Sequence, residues 1–149
     1  FLDSDVIPPR DAFVRLTSRG LPIVSGLYSR RSPPYAVPVM IRNGQWVTDY
    51  RPGSIVEVDL VGAGCLCVHR SVFERLPLMA PGKPWFNWKV DMRGVLPPDE
   101  CLSEDFSFNL HARRNGYKIY VDTSVVCRHV GLAEARHGSF VPCEAVPAT

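Results

Sequence analysis

The chain is expected to fold as an α/β domain, a mixed sheet with flanking helices, and three observations carry that expectation. Apolar stretches with twofold alternation recur along it; Val56, Val58 and Leu60 point one way while Glu57 and Asp59 point the other. Between them lie segments that open on helix-starting residues, Asp11, Ser71 and Ser103. The resulting order is strand, helix, strand, hairpin, strand, helix, loop, helix, strand, which suits a mixed layer architecture better than a bundle or a sandwich. At 149 residues the length fits one domain with a sizeable core.

In chain order, Phe1 to Asp5 reads as the end of a strand halted by Pro8-Pro9. Asp11 can cap a short helix with Phe13 and Leu16 three apart on one face. Leu21 to Tyr28 is a second extended stretch. Tyr35 to Ile41 and Gln45 to Thr48 flank Arg42-Asn43-Gly44, where Asn-Gly predicts a tight hairpin turn. Ile55 to Val61 is a strand interrupted by Gly62-Ala63-Gly64, after which Cys65 to Val68 resumes the apolar run. Ser71-Val72-Phe73-Glu74 has the form of a capping box, followed by a short helix to about Leu76. The proline-rich stretch from 77 to 100 reads as a long loop, a feature that tends to be functional. Ser103 then caps a helix from Glu104 to about Arg114, stopped by Asn115-Gly116, and Tyr117 to Val121 forms a final strand. Residues 1–131 are taken as the domain, and 132–149 as a flexible tail.

Composition narrows the function. Hydrophobic residues make up 46% and charged residues 21%, ordinary for a globular domain. A net charge of +2, with Arg30-Arg31 and Arg113-Arg114 as isolated pairs, argues against nucleic acid as a partner. No apolar run approaches the roughly 20 residues of a membrane span, and no signal peptide is visible. The five cysteines lack Cys-x-x-Cys spacing, so buried free thiols are favoured over zinc ligation, which fits a reduced, cytoplasmic protein.

The chemistry-bearing residues are few. Asp3 and Asp5 stand one residue apart after an apolar pair, and two such carboxylates suit Mg²⁺ or Mn²⁺, whose remaining positions go to waters and phosphate oxygens. His129 could add a nitrogen to Asp3 and Asp5 around that metal. Asp105 is a candidate general base, while Glu104 beside it could simply complement the helix dipole. Gly62 and Gly64 could mark a bulge. Trp85, Phe86 and Trp88 could be core or a sugar platform.

Taken together and in order, these pieces resemble the GT-A glycosyltransferases, family 2 in particular. The matching stretches are Phe-Leu-Asp-Ser-Asp-Val-Ile-Pro-Pro at 1–9, Val-Asp-Leu-Val-Gly-Ala-Gly-Cys-Leu at 58–66 and Arg-Ser-Val-Phe-Glu at 70–74. They continue with Ser-Glu-Asp-Phe-Ser-Phe at 103–108, Asn-Gly-Tyr-Lys-Ile-Tyr-Val-Asp at 115–122 and His129. The resemblance implies a metal-dependent transfer of sugar from a nucleotide-sugar donor to an acceptor hydroxyl. It implies Asp5 and His129 on Mn²⁺ or Mg²⁺, Asp3 on the ribose or a metal-bound water, and Asp105 as base. It further implies that the Gly62-Ala63-Gly64 turn lies against the donor; Glu104 is a further candidate on the donor side, and Trp85 and Trp88, in the loop from Pro77 to Glu100, are candidates for an acceptor-facing lid.

The same resemblance implies a βαβ nucleotide-binding half of about 90 residues before Asp-x-Asp, so this chain corresponds to a partial GT-A domain, its C-terminal acceptor-side half. Weak or absent turnover by the isolated chain is then expected, with a homodimer or a missing N-terminal half covering an open sheet edge. One alternative is a non-catalytic GT-A remnant acting as a binding or assembly module. Another is a haloacid-dehalogenase-type phosphatase. That family wants Thr or Val where Ile7 stands, and an acidic pair after a strand where Glu104-Asp105 starts a helix.

Overall fold

The computed structural model describes residues 1–30, 37–79, 81–82, 85–87, 102–131, 133–136 and 139–142. It is a mixed α/β structure. Its strands are β1 (Val6–Ile7), β2 (Ile23–Leu27), β3 (Met40–Arg42), β4 (Gln45–Trp46), β5 (Ile55–Val58), β6 (Leu60–Val61) and β7 (Leu66–Val68). These are followed by β8 (Ile119–Val126), β9 (Arg128–His129), β10 (Ala133–Arg136) and β11 (Ser139–Pro142). The helices are α1 (Ala12–Ser18), α2 (Arg70–Arg75) and α3 (Glu104–Arg114). Among the described residues no helix is long and apolar enough to cross a membrane.

The main sheet runs β5-β8-β2-β7. Its centre is β2, where all five residues are buried, and β2 lies parallel to β8 and antiparallel to β7. A strand covered on both faces has no solvent side to show, which is why Ile-Val-Ser-Gly-Leu reads as a continuous run rather than an alternation. β5 does have a solvent side; Val56 and Val58 are buried while Ile55 and Glu57 are exposed, as the alternation requires. One core cluster, with Ile23, Leu66, Phe108 and Ile119, packs α2 and α3 against the sheet. A second, with Val24, Leu16, Tyr28, Cys65 and Cys127, packs α1.

Several local readings change. The Asn43-Gly44 hairpin forms, with φ of 53° and 74°, the positive pair a two-residue turn needs. The capping box does not. His69 is the N-cap of α2, its Nδ1 accepting from the Ser71 amide, and Glu74 pairs with Arg70 instead. In α1 the buried pair is Ala12 and Leu16, one turn apart, while Phe13 is exposed. The segment expected as a flexible tail carries β10 and β11, a hairpin that extends the sheet β1-β9-β10-β11. Its register runs from Ala133–Pro142 to Arg136–Ser139, with Ala135 also opposite His129 of β9.

Strand β8 holds the feature on which the site depends. Its pairing with β2 runs Val24–Tyr120, Ser25–Val121, Gly26–Asp122, then jumps to Leu27–Val126. Residues 123–125 bulge out, a device that re-aims a strand next to functional sites. The bulge is pinned from inside. Asp122, fully buried, accepts from the Arg19 Nε at 2.8 Å, the Ser124 amide at 2.9 Å and the Ser124 hydroxyl at 2.5 Å. Gly26 stands opposite in a tight space, where a Cβ would sit 3.0 Å from the Cys127 sulfur, 3.1 Å from the Val125 carbonyl and 3.2 Å from the Cys65 sulfur.

Burial alone would raise the Asp122 carboxyl, but the Ser124 hydroxyl, the Arg19 guanidinium and the Ser124 amide together hold it below the ordinary aspartate value. A depressed carboxylate contributes stability above its unfolded pKa, and that contribution is lost as pH falls through the folded value. Asp122→Asn is therefore expected to destabilise the fold by roughly 2–3 kcal/mol near neutral pH. The gap from wild type should narrow below about pH 4. Denaturant unfolding at both pH values tests this; a gap that stays constant with pH would contradict it.

Candidate functional site

The carboxyl ends of the parallel pair β2 and β8 open onto one cleft of about 560 Å³, lined by Asp3, Asp5, Tyr28, Arg30, Val39, Ser103, Asp105 and His129. Ligand sites in α/β sheets sit outside the carboxyl ends of the strands for a simple reason: that is where several chain segments diverge and leave room. Tyr28 and Arg30 follow β2, while His129 lies just past the re-aimed end of β8.

Asp3 and Asp5 lie on a turn rather than at a strand end. Leu2 bridges Cys65, the Asp3 amide donates to the Gly64 carbonyl at 3.1 Å, and the Val6 amide returns to the Asp3 carbonyl at 3.1 Å. The Val130 amide then donates to the Asp5 carbonyl at 2.7 Å. The Asp-x-Asp turn is thus tied at one end to the glycine turn and at the other to the β9 side of the second sheet.

His129 is oriented by the backbone. Its Nδ1 lies 2.8 Å from the Ser29 carbonyl, an acceptor, so that nitrogen carries a proton, and Nε2 faces Asp5 Oδ2 at 3.6 Å. Metal-ligating histidines are held in this way, by a hydrogen bond on the far nitrogen. Asp5 and His129 are the residues that could hold Mg²⁺ or Mn²⁺ here. The expected trio is not assembled, however. Among the described residues no group of three or more His, Cys, Asp and Glu side chains is placed to hold a metal ion. Asp3 is exposed and lies in the cleft without closing the Asp5–His129 pair. Two protein ligands, with phosphate oxygens and waters elsewhere, still match how Mg²⁺ is usually held.

Asp105 comes from the first turn of α3. Its Oδ1 accepts from the Ser103 hydroxyl and from the Phe106 amide at 2.7 Å, and its Oδ2 takes the Ala63 amide at 3.3 Å. The residue thus joins the helix start to the glycine turn. Ser103 stands at the N-cap position as its sequence context indicates, yet its hydroxyl serves Asp105 rather than a helix amide. Glu104 is not among the cleft-lining residues; its Oε2 is buried without a hydrogen-bond partner.

The glycine turn has a physical reason within the fold itself. A Cβ on Gly62 would run into the Tyr28 hydroxyl, and one on Gly64 would lie 2.8 Å from the Tyr28 Cζ. Tyr28 itself excludes side chains there. The Tyr28 hydroxyl accepts the Gly64 amide at 3.0 Å, and its ring meets His129 edge-on at 5.5 Å. Burial, reinforced by the Asp105 and Asp3 carboxylates, pushes this phenol far above its ordinary value, so it stays protonated. Tyr28 and Arg30 escaped the sequence reading because an apolar strand end carries no motif; the signal was their spacing past a buried strand.

Trp85 is not among the residues that line the cleft. Its Nε1 donates to the Leu76 carbonyl at 2.8 Å and its ring packs on Phe73 at 5.0 Å, which fixes it against the core. Trp88 lies outside the described residues.

No family model and no curated protein matches the chain. In fold it is similar to a solved structure, A197 from STIV, with a TM-score of 0.65 and 17% identity, over 100% of this chain and 67% of that one. At that identity the likeness speaks for the fold alone.

Two substitutions test the Tyr28–glycine contact. Gly62→Ala is expected to cost roughly 1–3 kcal/mol by overpacking, and Tyr28→Phe roughly 1–2 kcal/mol by stranding the Gly64 amide. Because Phe removes the clashing hydroxyl, the double variant should be more stable than the sum of the two by about 1 kcal/mol or more. Additive losses in a denaturation cycle would refute the contact.

Proposed function

We propose that this cleft carries out a metal-dependent glycosyl transfer from a nucleotide-sugar to an acceptor hydroxyl, the chain acting as the acceptor-side part of a GT-A-like domain. The observation that carries the reading is the oriented His129–Asp5 pair beside Asp105, in one cleft at the carboxyl ends of two parallel strands. A phosphatase of the aspartyl-nucleophile type is less well supported, because Asp3 is exposed on a turn and Asp105 begins a helix.

Asp5 and His129 would hold Mn²⁺ or Mg²⁺. When bound, such an ion supplies Lewis-acid neutralisation of a departing diphosphate. The chain's own residues do the rest. The Ser29 carbonyl keeps the His129 proton on Nδ1, and Asp3 offers a carboxylate to ribose hydroxyls or a water. Asp105 receives the acceptor hydroxyl proton at Oδ2, the oxygen held by the longer contact to Ala63, while Oδ1 stays engaged by Ser103 and Phe106. The protonated Tyr28 hydroxyl fixes the glycine turn against which Asp105 leans.

Isothermal titration with Mn²⁺, alone and with uridine or guanosine diphosphate, tests the reading. Asp5→Ala and His129→Ala should each weaken Mn²⁺ binding about 10-fold or more. Asp105→Asn should leave Mn²⁺ binding intact while lowering any transfer activity by about 10²–10⁴-fold. Equal Mn²⁺ affinity in wild type and both ligand variants would overturn the proposal and favour a binding or assembly role.

A further inference from the structure

A second, smaller groove of about 330 Å³ lies on the β3–β4 hairpin side, lined by Arg42, Asn43, Gln45, Trp46, Val47, Thr48 and Asp49. Trp46 links it to the cleft. The Arg30 guanidinium, which lines the cleft, sits over the Trp46 ring at 5.0 Å, and the same indole borders the groove. Trp46 is 37% exposed and belongs to neither core cluster. A tryptophan on a two-residue edge strand, outside the core and held in place by a cation, is a rigid ring presented outward.

We infer that this groove is a saccharide-binding subsite. A sugar ring is amphipathic, with C–H faces and hydroxyl edges. The electron-rich indole face attracts polarised C–H groups. Hydroxyl edges both donate and accept, and the groove supplies both partners: Gln45 and Thr48 do either, Asp49 accepts and Arg42 donates. Its volume is at the lower end of small-molecule sites, about 300–1,000 Å³, which suits a short saccharide. The groove, rather than Trp85, is the aromatic platform beside the cleft. Its role as acceptor subsite rests on the glycosyl-transfer reading; saccharide binding by itself does not.

Saturation-transfer NMR of the whole chain with maltose, cellobiose and methyl α-mannoside, without metal, is the test. At least one saccharide should bind wild type, roughly 5- to 10-fold weaker to Trp46→Ala, with Trp46→Phe between them. Exposed Gln45→Ala and Thr48→Ala should each weaken it by about 2- to 10-fold, which keeps the test decisive should Trp46→Ala misfold. Mn²⁺ titration should be unchanged in Gln45→Ala and Thr48→Ala. No saccharide binding, binding indifferent to all of these substitutions, or uridine or guanosine displacing the sugar would each overturn the subsite. Saccharide binding with no Mn²⁺ response would instead retain the groove and remove the transfer reading.

Discussion

The parallel pairing of β2 with β8 is the constraint from which the site follows. Two parallel strands end on the same edge, so whatever their sequences carry next is delivered to one place. After β2 come Tyr28, Ser29 and Arg30, and after β8 come Cys127, Arg128 and His129. Ser29 and His129 then meet through a carbonyl and an imidazole nitrogen, a contact between strand ends rather than between motifs. The bulge at 123–125 adjusts this meeting; without the three looped residues, a different part of the chain would stand opposite Leu27.

Around that edge, the polar groups hold one another in a closed set. The glycine turn is anchored by Tyr28 on one side and Asp105 on the other, and it anchors the Asp-x-Asp turn in its own right. Each carboxylate in the cleft therefore depends on backbone geometry set by a neighbour. The cost of burying such groups is met by hydrogen bonds, and Tyr28 remains neutral because burial, reinforced by the nearby carboxylates, disfavours its ionised form.

Much of this was legible beforehand, for definable reasons. The α/β class, the Asn43-Gly44 turn and the bounds of α3 follow from local rules, which depend on few residues and little on context. Asp3, Asp5, Asp105 and His129 could be singled out because their residue types are chemically distinctive, and all four line one cleft. What could not be read was tertiary. Trp85 and Trp46 are the same residue type in loop-like and hairpin surroundings, and only packing decides that the first goes inward. The glycine at 62 was legible as a close approach, but the approaching group, a tyrosine more than thirty residues earlier, was not. Likewise Ser71 carries a capping signature that His69 pre-empts by standing at the true helix boundary.

The β2–β8 pairing also sets an order of events in time. Its partners lie far apart in sequence, as do Asp5 and His129, so closing the central sheet means closing a very long loop first. Contacts of such range slow folding, and local elements such as the β3–β4 hairpin and α3 can form well before them. The cleft is consequently among the last parts of the molecule to exist. During synthesis on a ribosome, the groups that line the cleft stay apart until residue 129 has emerged.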